Sequence, residues 1–194
     1  MCREFGFKYK NATPIVSVLS RFAEQKGFDI IYQALEKILK LDLQLIIAGT
    51  GDADFENLFL QTPLINRDNF SLNVVFDEEL AKQIYAGSDI FLMPSKFEPC
   101  GLAQMIAMKY GTIPVARKTG GLIDTISDFF VDEKNGNGFL FEEYSPEALV
   151  RTLKRVLEIY KNKFIWQNII FNAMKNDFSW DFSAEKYIEL YNSL

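Results

Sequence analysis

The run Leu43–Ala48 is apolar at nearly every position. A strand with one wet face alternates apolar and polar residues. A run without alternation belongs to a strand covered on both faces, as in a parallel sheet flanked by helices. Pro14–Leu19, Leu72–Phe76, Ile90–Met93, Thr112–Ala116 and Phe139–Phe141 read as further strands. Between them Phe28, Ile31, Leu35, Ile38 and Leu39 recur at helical spacing, and Asp77 can cap a helix carrying Leu80, Ile84 and Tyr85. Gly101–Tyr110 reads as a helix. Ser145 and Pro146 supply the cap and first-turn proline of another, and Lys163–Lys175 and Asp181–Asn192 as two more. Strand–helix alternation with short connections predicts a single α/β domain, a parallel sheet of about six strands with helices on both faces. Gln61–Phe70 and Asp132–Gly138 read as polar, mobile insertions. Ligands of such sheets bind beyond the C-terminal strand ends, where the chain's most distinctive loops fall.

The first of these is Pro94–Leu102, which follows the apolar Asp89–Met93 run directly. It carries one carboxylate, Glu98, and a tight Pro99-Cys100-Gly101 turn before a helix. A glycine turn entering a helix presents free N–H groups to an anion, and Glu98 offers an acceptor to neutral hydroxyls beside it. Phosphate next to sugar hydroxyls is the chemistry of a sugar nucleotide. Glu98 also suits a plain helix-start acid favoured by the dipole. Arg21 and Lys26 flank the loop after the first strand. Both could reach one pyrophosphate, a planar fork beside a point charge, or both could be solvated surface cations. Gly101 and Leu102 matter through their backbone N–H groups, while Cys100 suits a small buried hydrophobe. Lys118, Thr119, Gly120 and Gly121 form a loop after the fifth strand, a second wall of the pocket, and Arg117 and Lys118 there either screen phosphate or are simply exposed. Gly49–Asp52 is too short for a dinucleotide fingerprint and reads as a loop beside the base. Phe76 is either a buried core aromatic or a stacking face for the base.

With 194 residues, net charge −5 and no histidine, the composition argues against nucleic acid or an anionic membrane as the main partner. It excludes a histidine base or histidine metal site in this chain. No acidic cluster suited to a metal stands out, so none is expected. Cys2 and Cys100 are too few for a disulfide framework, which fits a reduced compartment. The short apolar run Pro14–Leu19 is neither a signal peptide nor a membrane span.

The segments Ser20–Asp29, Gly49–Asp52, Ser95–Gln104, Met108–Thr125, Phe141–Leu149 and Asp177–Trp180, in that order and spacing, resemble the starch and glycogen synthase family of retaining glucosyltransferases. The resemblance runs from about Thr13 onward and covers what corresponds to that enzyme's C-terminal half. It implies one Rossmann-like domain of a two-domain GT-B fold, the donor-binding domain at 13–194, with 1–12 a remnant of the interdomain linker. It implies ADP-glucose, or UDP-glucose, as donor, an α-glucan as acceptor, no cofactor and no metal. It assigns Arg21 and Lys26 to the distal phosphate of the leaving ADP and Glu98 to the glucose. It places Phe76, Cys100, Gly101, Leu102 and Lys118–Gly121 around the donor. Many related transferases hold the ribose with a second glutamate where this chain has Ile106, a departure that fits the synthase branch. The facing N-terminal domain would be the partner that completes the enzyme. Without it the chain is expected to be inactive, with its last helix, carrying Tyr187, Ile188 and Tyr191, loosely docked or packed on another copy. Cytoplasm, or plastid stroma in a photosynthetic eukaryote, is the expected location. Two alternatives are a non-catalytic nucleotide-sugar or regulatory module, and a transferase acting on lipid or protein.

Overall fold

The computed structural model describes residues 5–8, 10 and 12–193. Six parallel strands form one sheet: β1 (Ile15–Leu19), β2 (Gln44–Gly49), β3 (Phe70–Val74), β4 (Ile90–Met93), β5 (Ile113–Arg117) and β6 (Phe139–Phe141). Their order across the sheet is β3-β2-β1-β4-β5-β6. The chain winds outward one way from β1 to β3, then returns to start again at β4. A crevice therefore opens between the ends of β1 and β4, where neighbouring connections leave on opposite sides. Every residue of β2 is buried, as its unbroken apolar run requires.

Side-chain alternation along the strands divides the interior into two faces. Val16, Val18, Leu45, Ile47, Ile90, Leu92 and Val115 face α1 (Phe28–Ile38), α6 (Pro146–Lys161) and α7 (Lys163–Lys175). Ile46 and Ala48, with Phe91 and Met93, face α3 (Glu78–Gly87) and α4 (Ala103–Lys109). Phe5 and Phe7 are buried on this second face with Ile15 and Ile84. They belong to the segment 1–12 read as a linker remnant. Residues 1–4, 9 and 11, including Cys2, lie outside the described residues.

Several boundaries differ from the sequence reading. The third strand begins at Phe70 and ends at Val74, so Val75 and Phe76 leave the sheet. Two further helices, α2 (Ala53–Leu60) and the short α5 (Leu122–Thr125), stand where the sequence reading placed no element. Helix α2 has a legible start: Asp52 caps it, and Glu56 accepts the Gly51 N–H at 2.7 Å. Helix α4 starts at Ala103 rather than Gly101, because Gly101 sits at φ +76°, outside helical geometry. Hydrogen bonds tie down both segments read as insertions. Asn69 donates to the Leu39 and Leu43 carbonyls, and Asn172 to those of Lys134 and Gly136. The last helix, α8 (Trp180–Asn192), has no buried residue, and Trp180, Tyr187, Ile188 and Tyr191 on it are exposed. Among the described residues no helix is long and apolar enough to cross a membrane.

An aromatic cluster anchors the first βα unit. Phe22 stacks on Phe28 with centroids 4.3 Å apart, and Phe59 meets both rings edge-on at 5.8 and 5.7 Å. All three are fully buried. Removing Phe59 would leave a cavity between α1 and α2. Phe59→Ala should cost about 3–5 kcal/mol in urea unfolding, whereas Phe76→Ala, on an exposed ring, should change stability by less than about 0.5 kcal/mol.

Candidate functional site

The loop after β1 folds into a 3-10 turn at Glu24–Lys26, ended by Gly27. This turn lies directly on the loop after β4. The Lys96 N–H donates to the Gln25 carbonyl at 2.9 Å, and Gln25 Nε2 returns a bond to the Phe97 carbonyl at 3.2 Å. Gly27 makes the approach possible. Its φ is +80°, and a Cβ there would lie 2.2 Å from the Pro94 carbonyl oxygen, so any side chain would push the two loops apart.

The docking brings Lys26 onto Glu98. Lys26 Nζ lies 2.6 Å from Glu98 Oε2, which also accepts from Ser95 Oγ at 3.3 Å. The Glu98 side chain is only 7% exposed and that of Lys26 21%. A carboxyl group so far from water needs a cation and hydrogen bonds as partners, and Lys26 and Ser95 supply them. The Lys26 ammonium keeps further N–H donors beyond the one used on Glu98.

The loop after β5 supports Glu98 from behind. The Gly121 N–H donates to the Glu98 carbonyl at 3.0 Å. A Cβ on Gly120, at φ +48°, would stand 2.0 Å from that same oxygen. The glycine pair thus lets backbone lie against backbone under the glutamate. Arg117 donates to the Ser95, Lys96 and Glu142 carbonyls, so its guanidinium fastens loops together. Lys118 pairs with Glu142 at 2.9 Å. Tyr144 closes the arrangement from the loop after β6. Its hydroxyl donates to Asp29 Oδ1 at 2.5 Å, and its ring lies beneath Lys96 and Arg117. Burial, then the Asp29 carboxylate, pushes the Tyr144 phenol above its ordinary range.

Two adjoining hollows open here. A recess of 60 Å³ over the ion pair is lined by Ser20, Lys26, Ser95, Glu98, Gly101 and Leu102. Beside it, sharing Leu19 and Ser20, lies a cleft of 460 Å³. Arg21, Gly49, Thr50, Phe76, Leu80 and Tyr85 are on its walls. Burial lifts the Tyr85 phenol to about 12. Arg21 is exposed and makes no hydrogen bond or ion pair among the described residues. Phe76 is 83% exposed at the rim, which overturns its reading as a core aromatic: the strand ends before it, and the ring projects over the cleft. Cys100 is also exposed, not a buried hydrophobe; its backbone rather than its thiol packs against Gly121.

Arg21, Lys26, Phe76, Glu98, Gly101 and Leu102 therefore line two connected hollows at the sheet's switch point. Lys118, Gly120 and Gly121 serve the loop beneath them through Glu142, Glu98 and Cys100. Thr119 accepts the Leu122 N–H at the start of α5. Sequence reading missed Ser95, Asp29 and Tyr144, although all three sit inside the most distinctive segments. Among the described residues no three His, Cys, Asp or Glu side chains gather as a metal-binding group.

The burial of Glu98 sets an asymmetry. Lys26→Met strands a buried carboxylate and should cost about 3 kcal/mol in urea unfolding. Glu98→Gln leaves Lys26 free to turn to water and should cost clearly less. Equal losses would show that the pair is not held as described.

Residues 4–168 match the family model of the glycosyl transferases group 1. The glycogen synthase of Kosmotoga olearia is 51% identical over 178 residues, covering 92% of this chain and 38% of that protein. The glycogen synthase of Geotalea daltonii is 50% identical, covering 97% of this chain and 39% of its own length. The catalytic domain of starch synthase IV from Arabidopsis thaliana, solved bound to ADP and acarbose, superposes with a TM-score of 0.89 at 36% identity. That match covers 98% of this chain and 40% of that one. The Anabaena protein HepE, solved with UDP-glucose, shares the fold at 23% identity and a TM-score of 0.71. The chain thus spans about two fifths of the length of the synthases it matches. With the six-stranded parallel sheet and its switch-point site, these likenesses identify the chain as a member of the group 1 glycosyl transferases, homologous over nearly its whole length to the glycogen and starch synthases of GT-B fold.

Proposed function

We propose that this chain is the donor-binding domain of a glucosyltransferase that moves glucose from ADP-glucose to the 4-hydroxyl at the non-reducing end of an α-1,4-glucan, with retention at the anomeric carbon. The observation that carries this reading is the Lys26–Glu98 contact across the switch point, with exposed Arg21 beside it on the adjoining cleft. Cations stand where a diphosphate would lie, a carboxylate where sugar hydroxyls would lie, and an apolar wall with an exposed ring where a base would lie. As the bond from C1 to the phosphate oxygen breaks, ADP leaves with the bonding pair and its charge grows. Arg21 and the remaining N–H donors of Lys26 stabilise that charge. Glu98 orients the glucose and opposes the positive charge at C1. Phe76 stacks on the base. The 38–40% coverage of the synthases supports 13–194 as one of two domains. On this reading 1–12 is the end of the linker, and the facing domain supplies the acceptor surface and covers the exposed apolar side chains of α8. A cytoplasmic or plastid-stromal location accords with it. UDP-glucose in place of ADP-glucose would leave the chemistry unchanged.

Calorimetric titration of the chain with ADP should give 1:1 binding. Arg21→Ala should weaken it by roughly 1.5–3 kcal/mol, the worth of a charge-assisted contact, and excess EDTA should leave it unchanged. Unaltered affinity in Arg21→Ala would remove the phosphate assignment, and loss on chelation would require a metal.

The chain alone should incorporate no labelled glucose into glycogen, because proximity of the acceptor supplies much of the rate. Joined to the N-terminal domain of a glycogen synthase it should be active. There Glu98→Gln should lower turnover by about a hundredfold or more while sparing ADP affinity. A joined protein that binds ADP without turnover would favour the non-catalytic module.

A further inference from the structure

Gln104 is fully buried in the first turn of α4, yet none of its hydrogen bonds serves the helix. Helical side chains lean toward the N-terminus, and this one reaches back into the Pro99-Cys100-Gly101 turn. Its Nε2 donates to the Gly101 carbonyl at 2.8 Å and lies 3.3 Å from that of Cys100. It also meets Thr125 Oγ1 at 3.1 Å, and that hydroxyl in turn donates to the Gly121 carbonyl at 3.1 Å. Its Oε1 has no partner among the described residues, so it is the donor end of the amide that is held. Gly101 sits at φ +76°, which favours glycine, and a Cβ there would lie 2.5 Å from that Oε1.

The consequence follows from peptide planarity. In a trans peptide the C=O and the next N–H point in opposite directions, and no peptide among the described residues is cis. Holding the Cys100 and Gly101 carbonyls inward on Gln104 therefore turns the Gly101 and Leu102 N–H groups outward. Among the described residues neither of those N–H groups has a protein acceptor. Both residues line the recess over Lys26 and Glu98.

We propose that Gln104 is a positioning residue for the diphosphate: it fixes the two peptides whose N–H groups, with Lys26, bind the distal phosphate. This rests on the nucleotide reading of the site. It assigns Gln104 no contact with the ligand. Because the Gly121 N–H holds the Glu98 carbonyl, the relay Gln104–Thr125–Gly121 also keeps the phosphate-facing turn and the glutamate in fixed relation.

The test compares ADP with AMP on the whole chain, by calorimetry, for the wild type, Gln104→Met and Thr125→Val. Methionine keeps the length and bulk of the side chain without its donor. Thr125→Val keeps Gln104 but removes its outer partner. Gln104→Met should weaken ADP about tenfold and AMP less than twofold, and Thr125→Val should shift the ADP/AMP ratio the same way by a smaller factor. If Gln104→Met does not fold, the ratio in Thr125→Val decides. A variant with lower Tm that loses ADP and AMP affinity in equal proportion, or loses neither, overturns the positioning role alone. A wild-type chain that binds neither nucleotide overturns the nucleotide reading, and this inference with it.

Discussion

The docking of the Glu24–Gly27 turn on the Pro94–Glu98 loop is the contact on which the rest of the site depends. Those loops leave β1 and β4, neighbours in the sheet but far apart in sequence. Nothing in a parallel ladder holds two such loops together beyond the last strand residues. Here the Lys96–Gln25 backbone bond, the Gln25–Phe97 bond and the Lys96–Glu24 ion pair do so. Gly27 sets the distance, because a side chain would collide with Pro94. The exposed ion pair adds little by itself. The buried Lys26–Glu98 pair is different in kind. Glu98 is buried and would be stranded without Lys26, whereas the partly exposed Lys26 can turn to water, so the loop geometry leans on the lysine more than on the carboxylate.

The other loops act as buttresses. Sequence reading left Arg117 and Lys118 either screening phosphate or simply exposed. Arg117 instead donates to three carbonyls, and Lys118 pairs with Glu142. Gly120 and Gly121 lie under Glu98 and Cys100, and Tyr144 spans to Asp29. Rigid support of this sort is what a site needs if it is to hold a sugar and a diphosphate in one geometry. Arg21 and Phe76 sit outside the buttressed zone. An exposed cation and an exposed ring at a cleft rim can adjust to what enters.

Order in this molecule is distributed unevenly. The sheet and α1, α6 and α7 bury a continuous apolar interior. Helix α8 buries none of its residues while exposing several aromatic rings. A helix of this length gains most of its stability in water from packing an apolar face, so α8 depends on whatever covers it.

The sequence by itself determined the parallel sheet, since the unalternated run at Leu43–Ala48 has no stable place except between two layers of helices. It also determined where chemistry could sit, because distinctive loops follow strand ends and strand ends carry the site. It did not determine the bounds of β3, since Leu72–Phe76 is the more apolar window while the strand is Phe70–Val74, and only pairing with β2 decides where the ladder stops. Nor was α2 read from it, although Asp52 and Glu56 mark its start, because Gly49–Asp52 reads only as a loop. The pairing of Lys26 with Glu98, the work of Arg117, and the roles of Tyr144 and Gln104 came only with tertiary structure. Each joins segments far apart in the chain or turns a backbone group whose direction no side-chain pattern encodes. Periodicity reports which face of an element is buried; which loop lies on which is settled by the crossing of β1 to β4, after the sheet has formed.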